Sequence, residues 1–483
     1  MAGSSSFETW LEQQSAFSFQ SILDNIGPDG KNVAGQGVLP GTVVASPSRQ
    51  HPNYFYQWIR DGAITIRALV DEYAATGDER LRQVLDDYLA TSRTVQHASN
   101  PSGDFWSGGL GEPKFEVDGT AFEGHWGRPQ RDGPPLRALT MMAYMRALVQ
   151  VQGGELADYA AVYDMIKPDL EYTSHTWASP GFDLWEEVDG LHFFTAMVQY
   201  KALRAGQALA AELGDDGAVP WYRKQADELA RFMYSFWDER HGHLVETLAH
   251  PRSGLDAALL LGAIHGGDGQ LFPPHSDPVI ASLHALVADM RARHVINADR
   301  QAATAGVGVG RYPEDVYDGD GTRGGNPWFL CTSTVAHTLY LLAEHLATSS
   351  RPLVITNTTA AFYQPFWAAA GAGDLLEREV INAPDSVAKL RRSVAVFPST
   401  AEYDAILSQV FAYADSFMAV IRDHADAEGH LSEQFDTATG YERGAEKLTW
   451  SYESFWNACR ARDAASTAIA LRKNHRLAEM SKL

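Results

Sequence analysis

The chain has 483 residues, 45% hydrophobic and 11% aromatic, enough to fill a large core with aromatic surface left over. Its formal charge of −22 (39 basic against 61 acidic residues) argues against nucleic acid and anionic membrane as partners, since both demand a basic face, and suits a neutral or cationic ligand. No run reaches the eighteen or more apolar residues of a membrane span, and the opening MAGSSSFETW has neither the basic start nor the apolar run of a secretory signal.

Apolar periodicity predicts helices at 5–26, 59–76, 79–98, 134–152, 157–177, 190–212, 218–237, 255–264, 277–294, 327–347, 401–427 and 448–471, with little strand. The clearest is 401–427, where Tyr403, Ile406, Leu407, Val410, Phe411 and Ala414 recur at helical spacing. Pro134–Pro135 opens one segment and Gly214 follows another, the usual helix start and stop residues. Between them the second and third segments, the fourth and fifth, and the sixth and seventh are joined by only a few residues, as in antiparallel hairpins. The links entering the second, fourth, sixth, tenth and twelfth segments are long, and 238–254 before the eighth is longish. Helices that run up and down with alternating link lengths predict a closed ring of six helix pairs, all long links at one mouth. The exception is 348–400, a long connection with a short helical piece near 359–370. No composition shift marks a boundary, so one domain over 1–483 is expected. Cys331 and Cys459 lie in apolar helical contexts and read as buried free thiols.

The long links carry the chemistry. They contain YFYQWIRDG (Tyr54, Trp58, Arg60, Asp61), GLGEPKF and GHWGRPQRDGPP (Trp126, Arg128, Arg131, Asp132), and GFDLWEEVDG over 181–190. Later come VGRYPEDVYDGDGTRGGNPWF (Arg311, Asp315, Tyr317, Trp328) and HLSEQFDTATGYERGAEKLTWSY (Glu433, Trp450). Each brings aromatic faces and fixed charges, a combination that suits sugars, whose C–H faces stack on indole while hydroxyl pairs are gripped by carboxylate and guanidinium. Glycosyl transfer to water needs two carboxyls on opposite faces of the scissile bond, and Glu186 and Glu433 are candidates. An acid crowded by Asp183 and Glu187 and covered by Trp185 is expected to have a raised pKa, as a proton donor near neutrality requires. Composition leaves open which of Asp183, Glu186, Glu187 and Asp189 holds the proton.

With these blocks in order from about residue 7 to about 470, together with NIGPDG, VVASPS and SNPSGD, the chain resembles the glucoamylases of the family 15 glycoside hydrolases, the fungal type in particular. The resemblance implies an all-α (α/α)6 barrel and inverting exo-hydrolysis. The product would be β-D-glucose from the non-reducing ends of α-1,4-glucans and malto-oligosaccharides, with slower α-1,6 cleavage. It implies Glu186 as general acid and Glu433 as general base, with Tyr54 beside the base. The two carboxyls would stand about 6.5–9.5 Å apart. Arg60, Asp61 and Arg311 match the residues that grip the terminal glucose, the Leu184 carbonyl lies in that pocket, and Glu187 meets the adjoining sugar. Trp58, Trp126, Tyr317, Trp328 and Trp450 match the aromatic walls, and Trp185 completes the substrate-binding set. No metal or cofactor is implied, a monomer is expected, and so is an extracellular setting, although no leader is present.

The sequence departs from the family pattern at Phe182 and Phe435, where the fungal enzymes usually carry tyrosine; a missing hydroxyl beside the base would alter its pKa or the order of its water. The stretch DGDGTRGG lengthens the link at the pocket rim, and no starch-binding domain follows. Isomalto-oligosaccharides or a small-molecule glucoside are the alternative substrates, and a non-catalytic sugar binder is the alternative class. A metal at His241, His243 and His250 is not expected, since no carboxylate of ligand spacing accompanies them.

Overall fold

The computed structural model describes residues 6–369 and 393–480. In chain order the helices begin with α1 (Phe7–Asp24), α2 (Ile59–Thr76), α3 (Glu79–His97), α4 (Gly133–Gln152) and α5 (Ala160–Thr176). There follow α6 (Phe193–Leu213), α7 (Ala218–Met233), α8 (Ala258–Gly266) and α9 (Asp277–Arg293). The last are α10 (Phe329–Thr348), α11 (Ala360–Ala369), α12 (Ala401–His424) and α13 (Thr449–Met480). All twelve segments expected from periodicity are helices, and the short piece in 348–400 is α11.

Their ends follow from local chemistry. The Asp78 carboxylate accepts from the Arg80 N–H at 2.9 Å and caps α3, directly after Gly77 has ended α2 with φ +68°, a conformation glycine adopts without strain. Gly214 ends α6 in the same way, and Pro134 sits in the first turn of α4, where its missing N–H costs nothing.

Packing closes a ring. Helices α2, α4, α6, α8, α10 and α13 each touch the next, and α13 returns to α2; around them α1, α3, α5, α7, α9 and α12 each lie against an inner helix. This is an (α/α)6 barrel, and one continuous apolar core runs from α1 to α13. Inner helices are buried on most of their circumference, which is why α10 reads PWFLCTSTVAHTLYLLAEHLA with small and hydroxylated residues among the large ones. Cys331 and Cys459 are buried free thiols, as expected.

Three differences from the sequence reading have physical causes. Helix α13 runs nine residues past the predicted end at 471, because Arg472 and Arg476 tie its polar last turns to Asp404 and the Ser399 carbonyl, contacts that leave no apolar period. The connection 348–400 also holds an antiparallel ribbon, β7 (Leu353–Thr356) with β8 (Ser393–Val396), whose four-residue strands are too short to show alternation. Helix α12 does reach the length and mean hydropathy, 1.2, of a membrane span, but half of that stretch is buried within the barrel and it bears Asp415 and Asp423; it is the outer partner of α10.

The other strands are two-residue ribbons that brace the long links. They are β1 (Gln57–Trp58) with β2 (Lys114–Phe115), β3 (Gly181–Phe182) with β4 (Asp189–Gly190), β5 (Trp237–Asp238) with β6 (His243–Leu244), and β9 (Gln434–Phe435) with β10 (Glu442–Arg443). Each ties together a link, or two links, that enters an inner helix at the same end of the ring.

Candidate active site

At that end the links enclose a cavity of ≈490 Å³. All fourteen residues expected from the sequence line it: Glu186 and Glu433; Tyr54, Trp58, Arg60 and Asp61; Trp126; Leu184, Trp185 and Glu187; Arg311, Tyr317, Trp328 and Trp450. Ala45, His125, Gly127, Phe182 and Leu448 complete the wall.

The stretch 181–190 is a hairpin closed by β3 and β4, and its turn explains the four acids. Asp183 is buried and spends its carboxylate on the turn itself, accepting from the N–H groups of Glu187 at 2.7 Å and Val188 at 2.8 Å. Asp189 points to solvent from β4. Glu186 takes φ +69°, rare for a residue with a Cβ, and a strained backbone of this kind is characteristic of functional sites. The expected crowding is therefore absent: Asp183 is turned inward and Glu187 is paired with cations. Nor is Trp185 the ring against Glu186. Its indole N–H donates to Asp256 at 2.9 Å and its face lies beside Trp328 and Trp450, whereas Glu186 Oε1 accepts from Trp58 Nε1 at 2.7 Å and Gln130 Nε2 at 2.9 Å.

Behind Glu186 lies a charged floor. Arg60 donates through Nη1 to Gln130 and to buried Asp132, both at 2.8 Å, with Asp61 at 3.6 Å and Glu186 at 3.7 Å. Burial lifts Asp61 to about 7 despite Arg60, and Glu186 and Asp132 add to the rise. On the opposite side Arg311 makes a two-pronged pair with Asp315 (2.8 and 2.7 Å) and reaches Glu187 at 2.8 Å; Arg252 holds the other Glu187 oxygen at 2.9 Å, and Tyr312 donates to it as well. Burial works to raise the Glu187 pKa, but Arg311, Tyr312 and Arg252 together hold it below the ordinary range, so it stays ionised.

Glu433 is fully buried, on the strand leading into β9. Its N–H bonds to the Ala445 carbonyl, and Gly444 crosses so close that a Cβ there would lie 2.2 Å from Glu433 Oε2; with φ +74° the position takes only glycine without strain. Burial lifts Glu433 to about 8, while the Tyr54 and Tyr317 hydroxyls and Arg311 pull the other way. Those two hydroxyls are bonded to each other at 3.2 Å, and Glu433 Oε1 has no hydrogen-bond partner among the described residues. The indole nitrogens of Trp126, Trp328 and Trp450 are unpartnered in the same way, a concentration of unsatisfied polar atoms expected where a ligand is to bind.

Gln130 and Asp132, which hold Glu186 and Arg60, were not among the expected site residues, nor was Lys114. The Lys114 ammonium sits inside a box of rings, 3.6 Å from Trp126, 4.0 Å from Tyr56, 4.1 Å from Phe122 and 4.7 Å from Trp58, and so fixes two walls at once. Its place in GLGEPKF, a link rich in glycine that pairs β2 with β1, was the only signal available. Phe182 does line the cavity, but Phe435 does not: it is fully buried and stacks on His424 at 4.6 Å and against Phe329 at 4.9 Å, because alternation along β9 sends it to the core. The hydroxyl missing there is therefore missing from the core and not from the cavity. The DGDGTRGG loop folds onto β10, with Arg443 on Asp318 Oδ2 at 3.0 Å, and no residue of 318–325 lines the cavity.

Asp61 and Glu433 both bind protons more tightly folded than unfolded, where carboxyls titrate near 4. Between those values the folded chain holds protons that the unfolded chain releases, so their contribution to stability falls as pH rises from about 4 to about 8. Thermal unfolding followed across that range is expected to show a falling midpoint, and Glu433→Gln to flatten its upper part. A Glu433→Gln curve parallel to that of the parent protein would refute the assignment.

A helical barrel with a deep acidic and aromatic pocket at the N-terminal ends of its inner helices defines the class, a carbohydrate-cleaving hydrolase. The Glycosyl hydrolases family 15 model matches residues 17–460, and the chain belongs to that family. It is 37% identical to Glucoamylase-1 of Schizophyllum commune over 97% of this chain and 76% of that protein. It is 33% identical to a probable glucoamylase of Schizosaccharomyces pombe over 96% of this chain and 94% of that one. Among solved structures it superposes on a glucoamylase from Saccharomycopsis fibuligera with a TM-score of 0.87 at 35% identity, covering 96% of both chains.

Proposed function

We propose that the protein is a glucan 1,4-α-glucosidase that removes glucose from the non-reducing ends of α-1,4-glucans and malto-oligosaccharides with inversion, releasing β-D-glucose, and that cleaves α-1,6 links more slowly. The observation that carries the reading is the meeting of Glu186 and Glu433, from links far apart in the chain, in one cavity with Arg60, Asp61 and Arg311. In this mechanism Glu186 protonates the glycosidic oxygen as the C–O bond breaks. Glu433 takes a proton from a water that attacks the anomeric carbon from the other face. The charges of Arg60, Asp61 and Arg311 grip the hydroxyls of the terminal sugar, and the indoles of Trp58, Trp126 and Trp450 cover its faces.

Following the anomer released from maltotriose tests this. The β-anomer is expected first, relaxing by mutarotation; initial α-glucose, or no glucose, would refute the proposal. Turnover of maltose above isomaltose is the matching expectation for linkage preference.

A further inference from the structure

The barrel has a second and larger cavity, ≈730 Å³, among the inner helices, displaced from the candidate active site toward their C-terminal ends and sharing none of its lining residues. Small side chains leave the space open: Ala63, Ala68, Ala143, Ala147, Ala205 and Ala461 all line it. What projects into this space is basic. Each of the six inner helices contributes one such residue: Arg67 from α2, Arg146 from α4, Lys201 from α6, His265 from α8, His337 from α10 and Arg460 from α13. A ring of this sign is unexpected in a chain of net charge −22.

Three acids share the lining, Asp71, Glu344 and Glu453. Asp71 is paired with Arg67 on its own helix. Glu453 is buried, bonded to Asn457 at 2.5 Å, and lifted by burial to about 8, so near neutrality it adds little negative charge. Arg146 is partly engaged by Glu212 at 2.7 Å, Lys201 donates to the His265 carbonyl at 2.9 Å, and Arg460 stacks on Trp456 while reaching the Ala68 carbonyl at 3.3 Å. No hydrogen bond joins either imidazole to another described residue. Near neutrality the cations are Arg67, Arg146, Lys201 and Arg460, met by Asp71 and Glu344 in the lining and by Glu212 beside it, which leaves a small excess of positive charge. Burial, and after it His337, Lys201 and Arg67, push His265 down to about 3; burial and then Arg460 push His337 down to about 4.

We propose that this basal cavity is a binding site for a small multivalent anion, bearing phosphate or carboxylate groups and held by the ring of six basic side chains. An anion there offers Arg67, Arg146, Lys201 and Arg460 charge-assisted hydrogen bonds that the three carboxylates do not exhaust. It also favours the protonated imidazoles, so binding takes up protons and tightens as pH falls from neutrality.

Titration calorimetry of the whole protein with inorganic tripolyphosphate, and separately with citrate, at pH 5.5 in two buffers of different ionisation enthalpy is the test. Saturable binding of one equivalent with proton uptake is expected, and the two arms separate phosphate from carboxylate as the preferred group. Arg146→Gln, at the half-exposed rim, and His337→Gln are each expected to weaken binding about tenfold. Both variants should hydrolyse maltotriose as the parent does, which shows they are folded. Absence of saturable binding, unchanged affinity in both variants, or displacement by a sugar that fills the upper cavity would each overturn the proposal.

Discussion

Glu186→Gln is expected to slow maltose hydrolysis by about 10²–10⁴-fold and to leave hydrolysis of α-glucosyl fluoride nearly intact. Fluoride departs without a proton, so a substrate with this leaving group bypasses the general acid and still requires the base. Glu433→Gln is expected to lose activity on both. The comparison has more than routine value because burial favours the protonated form of Glu433. Burial lifts Glu433 to about 8, and a group that is to take a proton from water must first have lost its own. The counterweights are local: Tyr54, Arg311 and Tyr317 all act to lower it, and Oε1 has no hydrogen-bond partner among the described residues. A sugar hydroxyl or water donating to Oε1 would favour the ionised form further. Glu186 meanwhile has one oxygen committed to the N–H groups of Trp58 and Gln130. Azide supplies a second measurement. In Glu433→Ala it is expected to attack the anomeric carbon where water would have been activated, expelling fluoride and giving β-glucosyl azide. Retained fluoride hydrolysis in Glu433→Gln together with its loss in Glu186→Gln would reverse the two roles.

The barrel was legible in the sequence because link length is a topological quantity: short links force antiparallel neighbours, and long ones must then share an end. The same logic brought Tyr54, Glu186, Arg311 and Glu433 to one mouth, and the family blocks supplied the rest of the lining. What the sequence could not convey was direction. Neighbours in GFDLWEEVDG diverge because Glu186 takes a left-handed backbone, so Trp185 packs with Trp328 and Trp450 while Glu186 meets an indole from another link. Phe435 adjoins the base by only two positions and still faces the core. Gln130 and Lys114 are ordinary residues in their own links, and their roles arise from what folds against them. The basal ring was illegible for the same reason. Arg67, Lys201 and Arg460 lie far apart in the chain on separate helices, and only closure of the ring brings them to one cavity.

Arg311→Ala is expected to be the most damaging change outside the two glutamates, costing about a thousandfold in kcat/KM and about 3–5 kcal/mol in stability. Its guanidinium is almost completely buried and carries two carboxylates at once, Asp315 by a parallel pair of bonds and Glu187 by a third. Four rings surround it, those of Trp328 and Tyr312 with centroids 5.2 Å away, Tyr317 at 5.3 Å and Trp185 at 5.4 Å. Removing it strands Asp315, leaves Glu187 to Arg252 and Tyr312, and takes from Glu433 a cation that assists its ionisation, so binding and the proposed base strength fail together. Arg311→Lys keeps the charge but offers no planar fork, and is expected to fall between parent and alanine. The stability and catalytic losses separate in a double variant. Asp315→Asn added to Arg311→Ala relieves the stranded acid and should recover part of the stability, measured by denaturant unfolding, without recovering maltose turnover. Arg311→Ala with kcat/KM within tenfold of the parent would show that the terminal sugar is gripped elsewhere, and would leave Arg60 and Asp61 as the only charged hold on it.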